Sequence, residues 1–382
     1  MKILLVGEYS RLHNSLKEGL LKLDHDVTLL ASGDGFKNYP ADIKIHNPFD
    51  NGFLKKLNVL TYKIFNIKLS SIYIYHNTKK HIHRSPQFDI IQLINETPFK
   101  TTTEYEKKLI SLLRHKTKKL FLLSCGEDYT TVQYFLEDKP KYSIMTPFLQ
   151  NPGLKKVYQF QLKRVSHEHK TLQEFLHQHI DGVIASDLDY HAPNLVFNNY
   201  LGVIPNPINI DKLNYIEPKI NEKIKIFHGV NQASTHKKGN QFFFEALERI
   251  EHLYADKVDI FTVYSLPYDE YIKTYDACHI LLDQVYSFDQ GYNALEAMAK
   301  GKVVFTGAEQ EWLEHYKLEP DTVAINALPD SDAIFKKLEW LILNPEEIIN
   351  ISKNARAFIE THHHYGNVAQ QYLNAWKNNT SK

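Results

Sequence analysis

The order of apolar and helical segments at the start of the chain restricts the fold most strongly. Lys2–Val6 is an apolar run typical of a buried strand, and Gly7 opens the loop that follows it. Leucines at helical spacing come next (Leu16, Leu20 and Leu23), and a second apolar run follows them. Strand, loop, helix and strand in this order predict a parallel sheet with right-handed crossovers. The first loop lacks the G-x-G-x-x-G pattern, so the sequence carries no dinucleotide-binding fingerprint.

Two further apolar runs, residues 89–94 and 119–124, predict additional strands of the same sheet. The second run leads into Glu127 and Asp128. Ligands of open parallel sheets bind outside the carboxyl ends of the strands, so these carboxylates are well placed to contact one. Asp128 can orient a sugar hydroxyl there, or it can cap the next helix. The sequence leaves both roles open.

A stiff segment near the middle of the chain predicts a crossing between two domains. Pro205 and Pro207 frame Asn206 there, and prolines hold the backbone extended. A chain of 382 residues suits two domains, each with its own core. Beyond the crossing, a strand is followed by a polar loop, and Lys238 and Gly239 open a helix. An ammonium group beside free backbone N–H groups is a good diphosphate site.

The stretch 290–305 predicts a helix followed by a buried strand. Gly291 supplies backbone freedom, and Asn293 is placed to cap the helix. Glu296 falls in the first turn, away from the apolar face, where a carboxylate can accept hydrogen bonds from sugar hydroxyls. The alternative is an ordinary helix–strand unit with one solvated Glu.

The residue sequence of this stretch resembles that of a known family. Residues 295–304 read Leu-Glu-Ala-Met-Ala-Lys-Gly-Lys-Val-Val, which is similar to the donor-binding signature of retaining GT-B glycosyltransferases, especially family four. The resemblance implies an α/β protein of the GT-B fold, with two Rossmann-like parallel-sheet domains facing across a cleft. It divides the chain into an acceptor-side domain (1–205), a donor domain (206–365) and a final helix (366–382) that packs back on the first domain.

The resemblance also assigns roles to residues. Lys238, Glu296 and Asp128 would be catalytic, and Glu127, Asp128 and His13 would lie on the acceptor side. The loop with Gly7 would face the cleft, although a solvated surface position is an equal alternative for His13. The donor would be bound by residues from the first loop, the Lys-Gly pair and the signature stretch: Gly7, Lys238, Gly239, Gln290, Gly291, Tyr292, Asn293 and Glu296.

Two positions depart from the family pattern. The first acidic residue of the family lies eight positions before Glu296, where this chain has Phe288. The family's diphosphate-binding Arg is also missing, since Val230 and Asn231 occupy its neighbourhood. The paired-glutamate pattern is therefore only half present.

The segment 51–88 contains no Asp or Glu but has seven Lys and Arg residues, interleaved with aromatic and aliphatic side chains. This composition suits an anionic membrane surface, an acidic acceptor or nucleic acid. A solvated lysine-rich helix face is the ordinary alternative. The whole chain has 45 basic and 45 acidic residues, so no global field favours nucleic acid, and we expect none as a partner.

Two cysteines, Cys125 and Cys278, lie far apart in apolar sequence, which indicates a reducing compartment. The amino terminus is too short for a signal peptide, and no apolar run approaches the ~20 residues of a membrane span. We therefore expect a cytoplasmic protein, peripheral to the inner face of the membrane if segment 51–88 docks there. The histidine run 362–364 points in different directions on a helix, so we expect no metal site and no cofactor.

The function expected from these features is transfer of a sugar from a nucleotide-diphosphate sugar to a glycan or lipid-linked acceptor, with retention, in surface polysaccharide or glycolipid assembly. Two rival interpretations are a sugar-nucleotide epimerase on the same fold and a non-catalytic GT-B-like binding subunit. The missing acidic residue and the missing Arg favour the second rival.

Overall fold

A computed structural model of the chain describes residues 1–34, 37–220, 222–264 and 268–379. The first half forms a seven-stranded parallel sheet in the spatial order β3-β2-β1-β4-β5-β6-β7. Its strands are β1 Lys2–Val6, β2 Asp26–Ala31, β3 Ile43–Lys44, β4 Phe88–Leu93, β5 Thr117–Ser124, β6 Gly182–Ala185 and β7 Tyr200–Val203.

The second half forms a five-stranded parallel sheet in the order β12-β11-β10-β8-β9. Its strands are β8 Ile224–Val230, β9 Val258–Tyr264, β10 Ile280–Leu282, β11 Val303–Thr306 and β12 Ile325–Asn326. The parallel sheet predicted from the strand–loop–helix–strand pattern and the two parallel sheets implied by the family resemblance are both confirmed.

Helices connect the strands and cover the sheets. Those that belong to the first sheet are α1 Leu12–Lys22, α2 Gly52–Phe65, α3 Leu69–Arg84, α4 Thr103–Arg114, α5 Tyr129–Leu136, α6 Thr146–Gln150, α7 Gln159–Arg164, α8 His167–His177 and α9 His191–Asn194. Those of the second half are α10 Thr235–Lys238, α11 Asn240–Tyr254, α12 Tyr268–Ala277, α13 Tyr292–Ala299, α14 Gln310–Tyr316, α15 Ser331–Leu343, α16 Pro345–Phe358 and α17 Tyr365–Asn378.

Alternation along the strands places apolar side chains on both faces of each sheet. In β1, Ile3 and Leu5 join the core cluster that contains α1, whereas Leu4 joins the cluster under α3, α4 and α8. The second sheet is covered in the same way by two separate clusters. Because both faces are buried, the strands read as nearly continuous apolar runs rather than as alternating ones.

The last helix returns to the first sheet. Val368, Tyr372 and Trp376 recur every four residues on α17, and all three are buried in the same cluster as Ile3. Gly19 of α1 allows the two helices to touch, because a Cβ atom there would lie 2.3 Å from the carbonyl oxygen of Tyr365. The end of the chain is therefore part of the core that supports its beginning.

The acid-free segment forms α2 and α3. No residue of α2 is buried, and its apolar side chains face solvent, with Phe53 76% and Phe65 66% exposed. Among the described residues, no helix combines the length and the apolar character that crossing a bilayer requires.

Replacing Trp376 by Phe should destabilise the first domain. The indole Nε1 of Trp376 donates a hydrogen bond to Gln92 Oε1 at 3.1 Å, and both side chains are fully buried. Trp376→Phe leaves a buried acceptor unpaired, so the free energy of unfolding should fall by about 1–3 kcal/mol. Urea denaturation followed by circular dichroism measures this loss.

The matched control is Trp340→Phe on α15, where the ring is only partly buried. Losses of the same size in the two variants would mean that the bond to Gln92 contributes nothing specific.

Candidate functional site

Segments that follow the carboxyl ends of the two sheets contact each other, and the region between the two domains is called the cleft. Tyr292, the first residue of α13, donates a hydrogen bond to the carbonyl of Pro207 at 2.5 Å and lies 2.6 Å from the hydroxyl of Ser15 on α1. On another part of the interface, the backbone N–H of Leu188 donates to Asp289 at 3.1 Å. These contacts place the loops after β1 and β6 opposite the loop and helix after β10.

The loop after β1 has a conformation that requires glycine at its start. Gly7 has φ +88°, and a Cβ atom there would lie 2.3 Å from Cγ2 of Ile94. A side chain at this position would therefore displace either the loop or β4. Gly7 thus sets the backbone shape of this loop, and its role in donor binding stays a prediction.

His13 supports this loop from inside the domain. It is fully buried, and its Nδ1 donates to the carbonyl of Gly7 at 2.8 Å, so the proton is on Nδ1. Its Nε2 accepts from Gln92 Nε2 at 3.4 Å. Burial lowers the pKa of His13 to about 4, which keeps the ring neutral near pH 7. The solvated surface position is wrong, and no solvent-facing edge of His13 is left for an acceptor.

Glu8 is a cleft-side residue that sequence reasoning missed. It is 2% exposed, and one carboxylate oxygen accepts hydrogen bonds from the backbone N–H and the side chain of Asn14 at 2.9 and 2.6 Å. The other oxygen, Oε1, has no partner among the described residues. Burial raises the pKa of Glu8 to about 7. The available signal was an acid directly after the glycine that ends the first strand.

On the opposite wall, Lys238 and Asn293 share one carboxylate. Lys238 Nζ lies 2.9 Å from Asp283 Oδ1, and Asn293 Nδ2 donates to the same oxygen at 3.1 Å. Asp283 follows β10, and its side chain is 3% exposed, whereas that of Lys238 is 30% exposed. Gly239 comes directly after Lys238 and precedes α11. Lys238 is thus the last residue of α10 rather than the first residue of a helix, and Asp283 holds its partly exposed ammonium group in place.

The start of α13 differs from the sequence expectation in three ways. Gly291 rather than Asn293 is the N-cap, and Gly291 has φ −73°, a value that any residue adopts. Glu296 lies in the second turn, so the favourable end of the helix dipole does not act on it directly. Tyr292, which the resemblance assigns to donor binding, instead has its hydroxyl held between Ser15 of the first domain and the carbonyl of Pro207.

Glu296 faces the first domain. It is half-buried, while its neighbours Leu295 and Ala297 are fully buried. Burial raises the pKa of Glu296, and the positive charges of Arg11, Lys300 and Lys37 oppose that rise, with Arg11 acting most strongly. Arg11 and Lys37 belong to the first domain, so two of the three basic side chains that act on Glu296 lie on the other side of the cleft.

Gln290 is buried below the cleft surface at 1% exposure. Its Nε2 donates to the carbonyl of Gly307 at 2.6 Å, and its Oε1 has no partner within the described ranges. Gln290 therefore joins the loop before α13 to the loop after β11, and its side chain offers the cleft little surface.

Asp128 is a helix cap. Its Oδ1 accepts from the backbone N–H of Thr131 at 2.7 Å, and its Oδ2 accepts from Ser124 at 3.2 Å. With both oxygens occupied inside the domain, the structure favours the capping role over the acceptor role. Glu127 beside it is half-buried and accepts from Gln161 Nε2 at 2.9 Å.

At the position of the family's first acidic residue, Phe288 packs on Tyr142 of the first domain, with ring centroids 5.3 Å apart. The hydroxyl of Tyr142 donates to Glu309, which follows β11 and is 5% exposed. An aromatic contact between the domains thus replaces a carboxylate in the cleft.

Three aspartates meet where the domains touch: Asp289 is buried, and Asp187 and Asp189 are half-buried. Asp187 and Asp189 follow β6, and Asp289 lies opposite them in the second domain. Burial raises the pKa of all three; the charge of Asp189 raises that of Asp289 further, and those of Asp189 and Asp289 raise that of Asp187. The sequence signal was the pair of aspartates directly after a strand.

These aspartates should make stability depend on pH. A carboxyl group whose pKa is raised by folding stabilises the fold fully below its unfolded pKa of ~3.9, and this contribution is lost as the pH rises through the folded value. The free energy of unfolding should therefore fall from pH 4 upward. Asp289→Asn removes one of the three groups, so the fall should be smaller in this variant.

Urea denaturation between pH 4 and pH 8 tests this, with the exposed Asp256→Asn as control. The quantity to compare between the proteins is the slope of the free energy of unfolding against pH. The free energies themselves are not comparable, because Asp289→Asn also removes one accepted hydrogen bond at every pH. An unchanged slope in Asp289→Asn would contradict the electrostatic account.

Within the described ranges, no group of three or more His, Cys, Asp or Glu side chains is arranged to hold a metal ion. Cofactor independence remains a prediction.

Comparison with known proteins identifies the architecture. A sequence model of the family described as "Glycosyl transferase-like" matches residues 236–374. No curated protein matches the sequence.

Solved structures match the whole chain at low identity. They include sucrose-phosphate synthase from Thermosynechococcus elongatus (14% identity, TM-score 0.58, covering 99% of this chain and 98% of that one). HepE from Anabaena in complex with UDP and glucose is 13% identical with a TM-score of 0.59, and 99% of each chain is covered. A Listeria monocytogenes protein proposed to be a UDP-N-acetylglucosamine 2-epimerase is 11% identical with a TM-score of 0.53, over 100% of this chain and 97% of that one.

Identities this low show the fold alone. The chain has the GT-B fold, as the signature stretch predicts, and its second half is glycosyltransferase-like in sequence.

Proposed function

We propose that this protein is a retaining glycosyltransferase that moves a sugar from a nucleotide-diphosphate sugar to a glycan or lipid-linked acceptor. The observation that carries the proposal is that Asp283 links Lys238, the last residue of α10, to Asn293 on α13, three residues before Glu296. All four residues lie in the part of the chain that matches the glycosyltransferase-like family.

Lys238 is suited to stabilise the departing diphosphate. Its ammonium group is oriented by Asp283, and its side chain remains 30% exposed. The N-terminus of α11 adds backbone N–H groups and the positive end of the helix dipole. Fixed positive groups at the atom that gains charge lower the transition-state energy without reorganisation.

Glu296 is suited to hold the ribose of the donor. Its carboxylate has no hydrogen-bond partner among the described residues, so its oxygens are available to sugar hydroxyls. The opposite wall, with Gly7 and Arg11, would then lie over the transferred sugar. HepE, which has the same fold, is known in complex with UDP and glucose.

In a retaining mechanism of this kind, the leaving phosphate takes the acceptor's proton, so no strong general base is needed. The proposed reaction thus depends on diphosphate stabilisation by Lys238 and on exclusion of water by the closed cleft.

Lys238→Ala should reduce turnover much more than Lys237→Ala. Only Lys238 is held beside α11 by Asp283. Loss of one charge-assisted contact in the transition state costs about 1.5–3 kcal/mol, which corresponds to roughly 10- to 100-fold in rate. Release of nucleoside diphosphate from the donor measures turnover. Equal, small losses in the two variants would place the diphosphate elsewhere.

The epimerase is the second candidate, because the Listeria protein proposed to be an epimerase has the same fold. NMR spectra of a nucleotide sugar incubated with the protein, without acceptor, distinguish the two activities. An epimerised nucleotide sugar would favour the epimerase, whereas an unchanged or slowly hydrolysed donor is expected for a transferase.

We also propose that α2 docks on an anionic membrane, which places the protein in the cytoplasm at the inner face and fits a lipid-linked acceptor of surface polysaccharide or glycolipid assembly. The support is that α2 buries no residue and that segment 51–88 has lysines but no acid. Basic side chains attract anionic lipid, and exposed apolar side chains can insert at the interface.

Leu60→Ser should weaken binding to anionic vesicles by about tenfold, because a leucine that inserts contributes ~1.5–3 kcal/mol at most. Leu60 is 54% exposed, and the control, Leu253→Ser in the second domain, replaces a leucine that is 56% exposed. Vesicle co-sedimentation at low and high salt measures the affinity. Wild-type binding that is indifferent to lipid charge would reduce α2 to a solvated surface.

A further inference from the structure

A cavity of about 270 Å³ lies in the first domain, and its lining residues include none of the cleft residues. It is lined by residues of α2, the residue before α3, the start of α4, α7 and the start of α8. Three lysines line it, namely Lys63, Lys68 and Lys163, together with Thr102 and Thr103 and with one acid, Glu168. Its volume is close to the lower end of the ~300–1,000 Å³ range of ligand pockets.

The lysines of this cavity lack acidic partners. In the part of the chain that the structure describes, none of the three ammonium groups lies within 4.0 Å of a carboxylate. Lys68 is the most buried of them, and burial followed by the charge of Lys163 lowers its pKa. Like charges gathered in one cavity repel each other, and a bound anion would relieve this repulsion.

The start of α4 adds neutral donors to the same cavity. Thr102 precedes this twelve-residue helix, and its side chain does not cap it. Thr102 and Thr103 line the cavity together with the lysines, and the first N–H groups of a helix have no partner within the helix. Ammonium, hydroxyl and backbone N–H groups together are the donors that bind phosphate oxygens.

The cavity is continuous with the exposed face of α2. Tyr62 and Lys63 line the cavity, whereas Leu60, Ile64 and Phe65 on the same helix are exposed. A lipid whose chains contact these apolar residues would thus bring its headgroup to the cavity. Thr102 and Thr103 follow the loop after β4, so the cavity lies near the sheet edge that forms the cleft.

We propose that this cavity binds the phosphate group of a membrane lipid, on the acceptor side of the protein. The proposal rests on the proposed function only for the docking of α2 on a membrane. It assigns to the first domain a phosphate site that is separate from the diphosphate site at Lys238.

The test is co-sedimentation with two sets of vesicles of matched surface charge, one containing phosphatidic acid and the other phosphatidylserine. Lys68→Met and Lys163→Met remove cavity charges, and Lys55→Met removes an exposed charge of α2 outside the cavity. A lysine near an anionic surface contributes about fivefold to binding, so all three variants should lose about that much with phosphatidylserine. With phosphatidic acid, the two cavity variants should lose at least tenfold.

Equal losses in the three variants on both lipids would overturn the proposal, because only general attraction would remain. Titration with inorganic phosphate provides the second arm. Tight binding of inorganic phosphate without a preference for phosphatidic acid would mean that the cavity binds a soluble phosphate. The proposal that it binds a lipid phosphate would then be wrong. Nucleotide-sugar binding should be unchanged in the cavity variants; if wild-type protein binds no nucleotide sugar, the transferase proposal fails while the vesicle result still decides the cavity.

Discussion

A chain of buried hydrogen bonds from Trp376 to Gly7 is the constraint on which the cleft depends. Trp376 donates to Gln92, Gln92 to His13 and His13 to the carbonyl of Gly7. An unpaired polar group at any of these positions would lower the free energy of unfolding by about 1–3 kcal/mol. This series of hydrogen bonds therefore favours a single position of the loop after β1. Because Trp376 belongs to the last helix, this wall of the cleft is completed only when the end of the protein has packed.

Electrostatic interactions between the two walls include both an attraction and a repulsion. Glu296 is attracted by Arg11 of the first domain, whereas Asp189 and Asp289 repel each other when both are ionised. The hydroxyl of Tyr292 fixes the walls in register between these two regions. A ligand that contacts both walls can shift such a balance toward closure, which is how a donor would exclude water from the reaction.

Helices and strands could be predicted because they depend on the local pattern of apolar residues. Apolar runs predicted strands in both halves of the chain, which the structure confirms as two parallel sheets, whereas the family resemblance assigned Lys238 and Glu296 to the donor side, an assignment that stays a prediction. The partners of polar side chains could not be predicted, because packing supplies them from distant positions. His13 is the clearest case: its ring accepts from Gln92, 79 residues away, and no spacing in the sequence marks that contact. Asp128 could be predicted only as one of two alternatives, since its type suits a cap and a ligand equally.

The central claim is that the cleft binds a nucleotide-diphosphate sugar through the wall that carries Glu296. Calorimetric titration of wild-type protein and Glu296→Gln with a panel of nucleotide-diphosphate sugars tests it most directly, with Glu346→Gln as an exposed control. The account predicts that at least one donor binds wild-type protein and that Glu296→Gln weakens this binding by about 10- to 100-fold, the equivalent of ~1.5–3 kcal/mol. Absence of binding across the panel, or equal affinity in the two proteins, would contradict it.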